Sequence, residues 1–305
     1  MLPQNLSIPT YYLHQLAEEL AARGVDVPRW LAQQTGVAPD QLGDASVSIS
    51  FAVFRRLILE ATAVTGLPDI GLRVGAKLRL NHHGVLGYAA MSSSSLRQAA
   101  EVFSRFCSLR SPLVPSHVER VGAELRFAFE EPYFLDDIRC TLLEIAVLTM
   151  KNVFDQVSNG QTGGGVAYVA FAFDAPEYAS RYEETFQCPV HFGQAWTGLA
   201  LPLSQVDLPL PMGDAAAFRE AVKLCEREME SAVLQTCWAA RVRHILHEAE
   251  QTFPSLTEVA KQLHVTPRTL HRRLIAEGSS YKLVLENARH RRAVARLRER
   301  EWSIQ

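Results

Sequence analysis

Apolar residues return every three to four positions through the first hundred residues, the spacing that gives one face of an α-helix. It predicts helices over 12–22, 28–35, 51–65 behind a Ser50 cap, and 95–109, punctuated by Gly24, Gly36, Gly43, Gly66 and Gly84. The period then changes to two. Residues 124–130 (Glu124-Leu-Arg-Phe-Ala-Phe-Glu) read as a half-buried strand, with 117–121 as its hairpin partner across Gly122. Beyond Pro132, residues 135–157 form a long, strongly apolar helix expected to be buried along much of its length, and 159–165 a glycine-rich loop. Strand 166–173, helix 176–186 and short strands at 190–192 and 199–203 follow, so this part is a mixed α+β domain ending near Pro211. Leu208-Pro-Leu-Pro is a stiff connection, and Asp214 caps a helix running to about Gln235. That helix suits three roles: a link between halves, a pairing surface for a second subunit, or a plain core element.

Residues 255–274 show a tighter pattern: two short helices about a three-residue turn. Ser255 and Glu258 have the spacing of a capping box, and Leu256, Val259, Ala260 and Leu263 then form one apolar stripe. Thr266 is the next N-cap, Pro267 suits the first helical position, Leu270 and Leu274 supply the inward face, and Gly278 ends the helix. Burying the two stripes on each other leaves Arg268, Thr269, His271, Arg272 and Arg273 for the outer side. An arginine fork matches the O6 and N7 acceptors of guanine, and the helix N-terminus favours a phosphate, so the face suits the major groove of DNA. A merely solvated basic face is the bland alternative.

Charge supports a division in two. The chain of 305 residues has a net charge of −2, but from Ala239 onward 13 Lys and Arg stand against 7 Asp and Glu, a net of +6, leaving −8 on the residues before it. Arg289 and Arg292, on a helix expected over 280–300, are candidates for phosphate contact.

The run Leu256, Val259, Ala260, Leu263, Arg268, Thr269, Leu270, Arg272, Arg273, Leu274, then Gly278, Ser280 and Tyr281, resembles the DNA-binding domain of AraC-type transcriptional regulators. Thr266 replaces the family's usual serine, and His264 sits where glycine is common, so a histidine must take a turn conformation that glycine adopts at less cost. The stretches at 84–89, 92–99 and 186–193 resemble the regulatory domain of the subgroup that includes ornithine-utilisation regulators, which is not a cupin barrel. The resemblance implies an α+β sensor and dimerisation domain over 1–211, a linker helix over 212–238, and an all-α helix-turn-helix domain over 239–305. Its recognition helix would lie at 267–277. Family members carry two helix-turn-helix units joined by a long helix, and here Trp302-Ser-Ile-Gln only enters the second, so a C-terminally truncated regulator is expected. The expected partners are promoter DNA, a small-molecule effector and a second copy of the chain, with RNA polymerase as a candidate further partner. The alternative is a truncated sensor module that binds a small molecule but does not grip DNA productively.

Five scattered cysteines without a Cys-x-x-Cys pair point to a reducing cytoplasm rather than to a disulfide framework or a zinc site. No signal peptide or membrane-spanning run is evident, and neither a phosphate loop nor a nucleophile elbow is present, so no enzyme and no cofactor are expected. Adjacent His82 and His83 project in different directions and suit a loop or pocket wall better than a metal; no metal site is expected. Effector-pocket candidates are His82, His83, Arg110, Phe129, Arg139 and Tyr168, with Phe127, Phe171 and Phe173 as further possible walls.

Overall fold

The helical spacing of the first hundred residues is realised as a run of short helices. The computed structural model describes residues 7–10, 13–35, 47–109, 111–159, 165–249 and 252–301. Arg110, Trp302, Ser303 and most of the glycine-rich loop lie outside them. Strand β1 (Ser7–Pro9) precedes α1 (Leu13–Ala21) and α2 (Val27–Thr35), and pairs antiparallel with β2 (Ser48–Ser50), Ile8 opposite Ile49. Helix α3 (Phe51–Thr65) starts where the Ser50 hydroxyl accepts the Val53 N–H at 3.4 Å, and it ends at Gly66, φ 65°.

Two helices follow that the spacing did not predict, α4 (Ile70–Lys77) and α5 (Val85–Met91). Both are short and contain glycine, which reads as a break. In α4 the glycines are instead contact points against a later helix. A Cβ at Gly71 would lie 2.2 Å from Glu144 Oε2 and 2.7 Å from the Thr141 carbonyl oxygen, so the approach requires glycine. Helix α6 (Leu96–Phe106) is capped by the Ser95 hydroxyl and continues as a 3-10 turn over Cys107–Leu109.

A five-stranded sheet is built from β3 (Ser116–Val121), β4 (Glu124–Phe129), β5 (Tyr168–Ala170), β6 (Val190–His191) and β7 (Thr197–Pro202). Its order is β3-β4-β7-β5-β6, and every pairing is antiparallel except β5 with β6. Helix α7 (Arg139–Ser158) lies between β4 and β5 in the chain and carries the buried Leu142, Leu143, Val147, Leu148, Val153 and Phe154. It starts later than the apolar run from 135 suggests, because Asp136–Ile138 forms a 3-10 turn with Asp136 at φ 50°. Strand β5 is shorter than the expected 166–173. Phe171 and Phe173 lie just beyond its end and pack with Tyr182, Phe186 and Phe192, the ring centroids 4.7 to 6.1 Å apart. Helix α8 (Ser180–Phe186) begins only after a turn in which the Ala179 N–H donates to the Pro176 carbonyl at 2.9 Å. Helix α9 (Leu203–Val206) closes this part.

Contacts divide the chain into Met1–Cys225 and Glu226–Gln305, a boundary inside α10 (Ala215–Thr236). Asp214 Oδ1 caps α10 as expected, accepting the N–H groups of Ala216 and Ala217 at 2.8 and 3.0 Å. After α10, the elements among the described residues of the second unit are all helices: α11 (Trp238–Glu248), α12 (Leu256–Gln262), α13 (Pro267–Ala276) and α14 (Tyr281–Glu301). Val242, Leu246, Val259, Ala260, Leu270 and Leu274 form its core. The first unit is thus α+β with a small sheet and the second all-α. No helix of the described residues is long and apolar enough to cross a membrane.

Candidate nucleic-acid interface and ligand cavity

Each local signal near the C-terminus has its physical counterpart. Glu258 Oε2 accepts the Ser255 N–H at 2.6 Å and the Ser255 hydroxyl accepts the Glu258 N–H at 3.3 Å, closing the capping box at the start of α12. The Ser255 N–H, and after it the Ser255 side chain, hold the exposed Glu258 carboxyl below the ordinary carboxylate range. The turn closes with the His264 N–H on the Lys261 carbonyl (3.1 Å) and the Val265 N–H on the Ala260 carbonyl (3.0 Å). His264 takes φ 53°, the left-handed conformation its place in the turn demands. The Thr266 hydroxyl then accepts the Thr269 N–H at 3.2 Å, with Pro267 in the first turn of α13. Leu270 and Leu274 are fully buried, so the two stripes do meet.

Arg268, His271, Arg272 and Arg273 are exposed on α13 and Thr269 is half-buried. They do not share one environment. The Thr269 hydroxyl lies 2.9 Å from that of Thr266, and the Arg273 guanidinium lies 4.1 Å over the Trp238 ring, which Arg241 also approaches at 4.5 Å. Arg289 is exposed on α14. Arg292, expected at phosphate, turns inward: its Nη2 donates to the Leu246 carbonyl at 3.2 Å and to the Ala249 carbonyl, and the guanidinium lies 3.8 Å over the Phe253 ring. It satisfies carbonyls at the C-terminal end of α11, a role suited to a cation there.

In the first unit a cavity of about 110 Å³ opens among α1, α3, α6 and α7. Leu16, Phe54, Ile58, Phe103, Leu142 and Met150 are among its apolar walls, and His83, Cys107, Ser111 and Thr149 are its polar ones. Of the sequence-based candidates, His83 and Phe129 line it. The others are engaged elsewhere or lie outside the described residues. His82 Nδ1 accepts the Arg79 N–H at 3.0 Å, Arg139 forms a two-point pair with Glu131 at 2.5 and 2.8 Å, and Tyr168 donates to Glu124 at 2.9 Å. Phe127, Phe171 and Phe173 are packed in the core. Among the described residues no group of three metal-ligating side chains forms.

Residues 24–210 match the family described as the arabinose-binding domain of AraC transcription regulator, N-terminal. The chain belongs to the AraC family of transcription regulators. The regulator is 28% identical over 297 residues to the ornithine utilization regulator of Pseudomonas aeruginosa, covering 94% of this chain and 84% of that one. It is 27% identical to an uncharacterized HTH-type transcriptional regulator of Mycobacterium tuberculosis over 322 residues, 99% of this chain and 89% of that one. Its fold is similar to that of the transcriptional regulator CdpR from Pseudomonas aeruginosa, with a TM-score of 0.53 and 23% identity over 94% of this chain and 86% of that chain.

Two features of the regulator escaped sequence reading. Glu277, one residue beyond α13, accepts the N–H groups of Trp238 (2.7 Å) and Ala239 (2.9 Å), capping α11 where the Cys237 side chain does not cap it. It ties the recognition-helix candidate to its neighbour across nearly forty residues of chain. The second is Glu144 on α7, fully buried among Tyr178, Tyr182 and Gly71. Burial outweighs the two phenol hydrogen bonds and pushes its carboxyl up to about 7. The capping spacing of Glu277 points to a residue far away in sequence, and Glu144 sits in an apolar run that gives no hint of its partners.

Proposed function

We propose that this chain is a ligand-responsive transcription regulator that binds promoter DNA as a dimer, laying α13 and the residues just after it, 267–277, in the major groove. Residues 1–211 sense the effector and dimerise, 212–238 link, and 239–305 bind DNA. Arg268, His271 and Arg272 are the base-reading residues, since their side chains are exposed on α13 and no hydrogen bond or ion pair engages them among the described residues. Arg289 contacts phosphate. Thr269 and Arg273 orient the helix through Thr266 and Trp238 and add backbone contact at most. Arg292 is reassigned to packing, on the carbonyls it already holds.

The observation that carries this reading is the basic outer face of α13, held by a complete set of caps on a buried leucine pair. Family membership supports the regulator class independently. The first unit contributes by linkage: an effector that binds one arrangement of it better than another shifts the freedom of the DNA-binding arms. A dimer on repeated half-sites raises the effective concentration of the second arm. The reading is of a binding protein, not an enzyme, and its scattered thiols suit the reducing cytoplasm.

Selection of bound sequences from a random duplex pool tests it. A recurring half-site in the recovered duplexes, repeated at a fixed spacing and bound by two chains, is the expected result. Recovery of no common sequence above background would count against the proposal.

A further inference from the structure

The cavity in the first unit is poor in polar groups for a family named after a sugar and related to a regulator named for an amino acid. Among the described residues that line it there is no Asp, Glu, Lys or Arg. Cys107 is neutral, its thiol pushed up by burial, and it already accepts the Ser116 hydroxyl at 3.3 Å. The His83 ring stands edge-on to Phe103 with centroids 5.2 Å apart. Thr149 is different. It is 7% exposed, yet its hydroxyl has no hydrogen-bond partner among the described residues. A threonine inside a helix usually returns its hydroxyl to the carbonyl four residues back, so a buried hydroxyl left over at a cavity wall marks a place for a ligand atom.

We propose that this cavity takes an uncharged, hydrocarbon-rich molecule of about nine non-hydrogen atoms with one hydrogen-bonding group, seated on the Thr149 hydroxyl. The size follows from the volume: at about 10–15 Å³ for each water-sized group, about 110 Å³ accommodates roughly seven to eleven of them. A pentose of similar size brings a hydroxyl on nearly every carbon, and most would be buried against Leu, Ile, Val and Phe without a partner. A free amino acid brings an ammonium and a carboxylate, and the described walls hold no charge to meet either. A chain or ring of carbon with a single hydroxyl leaves only one polar atom to satisfy. The inference rests on the first unit being the effector-sensing one, as proposed above.

Calorimetric titration of the full chain, without DNA, with 1-octanol, 2-phenylethanol, L-arabinose and L-ornithine tests the site. At least one alcohol is expected to bind saturably at one per chain. Binding should weaken about fivefold in Thr149→Val, which keeps the shape and removes the hydroxyl. It should weaken at least tenfold in Ala146→Leu, which fills the cavity from α7 and should melt no lower than the parent. Tighter binding of the sugar or the amino acid, alcohol binding indifferent to both substitutions, or no saturable binding of any probe would overturn the proposal. DNA affinity is then measured with and without the bound alcohol. An alcohol that binds but leaves DNA affinity unchanged retains the site and removes the sensor reading, so the two fail separately.

Discussion

Replacing Arg292 by alanine should loosen the helical unit without acting first on DNA. The guanidinium donates to two carbonyls, Leu246 and Ala249, and stacks on Phe253, so its loss leaves the end of α11 uncapped. Hydrogen bonds from a charged donor contribute about 1.5–3 kcal/mol in a buried setting and a cation–π contact about 0.5–1 kcal/mol at an exposed site. Arg292 is only half-buried, which puts the sum at the low end, about 2 kcal/mol. Hydrogen-exchange mass spectrometry on the full chain reads this locally: amides of α11 and α13 should exchange about 30-fold faster, the equivalent of that free energy. Lysine should restore part of the protection, because an ammonium can reach one carbonyl but cannot span both and lie flat on the ring. Arg289→Ala is the contrast. Exchange should be unchanged, while affinity falls on every duplex alike and the salt dependence drops by about one phosphate contact. Parental exchange in Arg292→Ala together with a reduced salt slope would refute the assignment of Arg292 to packing.

Glu277→Ala should cost about 1 kcal/mol, the usual loss for a helix cap, and weaken sequence-specific DNA binding although the residue faces α11; Glu277→Gln, which keeps an acceptor, should lie between, as urea unfolding followed by circular dichroism would report. Glu144 gives a pH dependence with a definite sign. Its carboxyl titrates near 7 when folded against an ordinary value of 4.5, so the folded state holds more protons in between, and stability is greatest on the acid side and declines as pH rises through about 7. The decline should be on the order of 3 kcal/mol and should flatten in Glu144→Gln; a parent whose melting temperature is level from pH 5 to 8 would contradict it. Gly71→Ala should destabilise the first unit by about 1–3 kcal/mol in thermal unfolding, since its methyl group meets the Thr141 backbone oxygen as well as Glu144.

The helix-turn-helix was legible because its determinants are local. Ser255 with Glu258, and Thr266 with Pro267, decide where each helix starts within four residues, and the stripes that bury Val259, Ala260, Leu270 and Leu274 are visible as spacing. What the arginines of α13 and α14 touch was not legible. Arg273 and Arg292 meet Trp238 and Leu246, partners 35 and 46 residues away, and a basic residue on an amphipathic helix looks the same whether it faces solvent or a distant carbonyl. Helices α4, α5 and α11 were missed for related reasons: the first two are short and glycine-bearing, and α11 takes its cap from Glu277 rather than from a neighbour in the chain. The cavity was the least readable part. Its walls come from α1, α3, α6, α7 and the 111–114 loop, stretches far apart in the chain, so aromatic strand positions that suggest a pocket go mostly into the core, and Thr149 sits within a long apolar helix that gives no hint of its place.

Base reading by the outer face of α13 is the proposal on which the rest depends. Fluorescence-anisotropy titration of the parent, Arg268→Ala and His271→Ala, on a selected duplex and a scrambled one at a single salt concentration, tests it most directly. Each substitution should cost about 1–3 kcal/mol on the selected duplex, relax the preference at one base position, and cost far less on the scrambled one. Equal losses on both duplexes, or none on either, would contradict it.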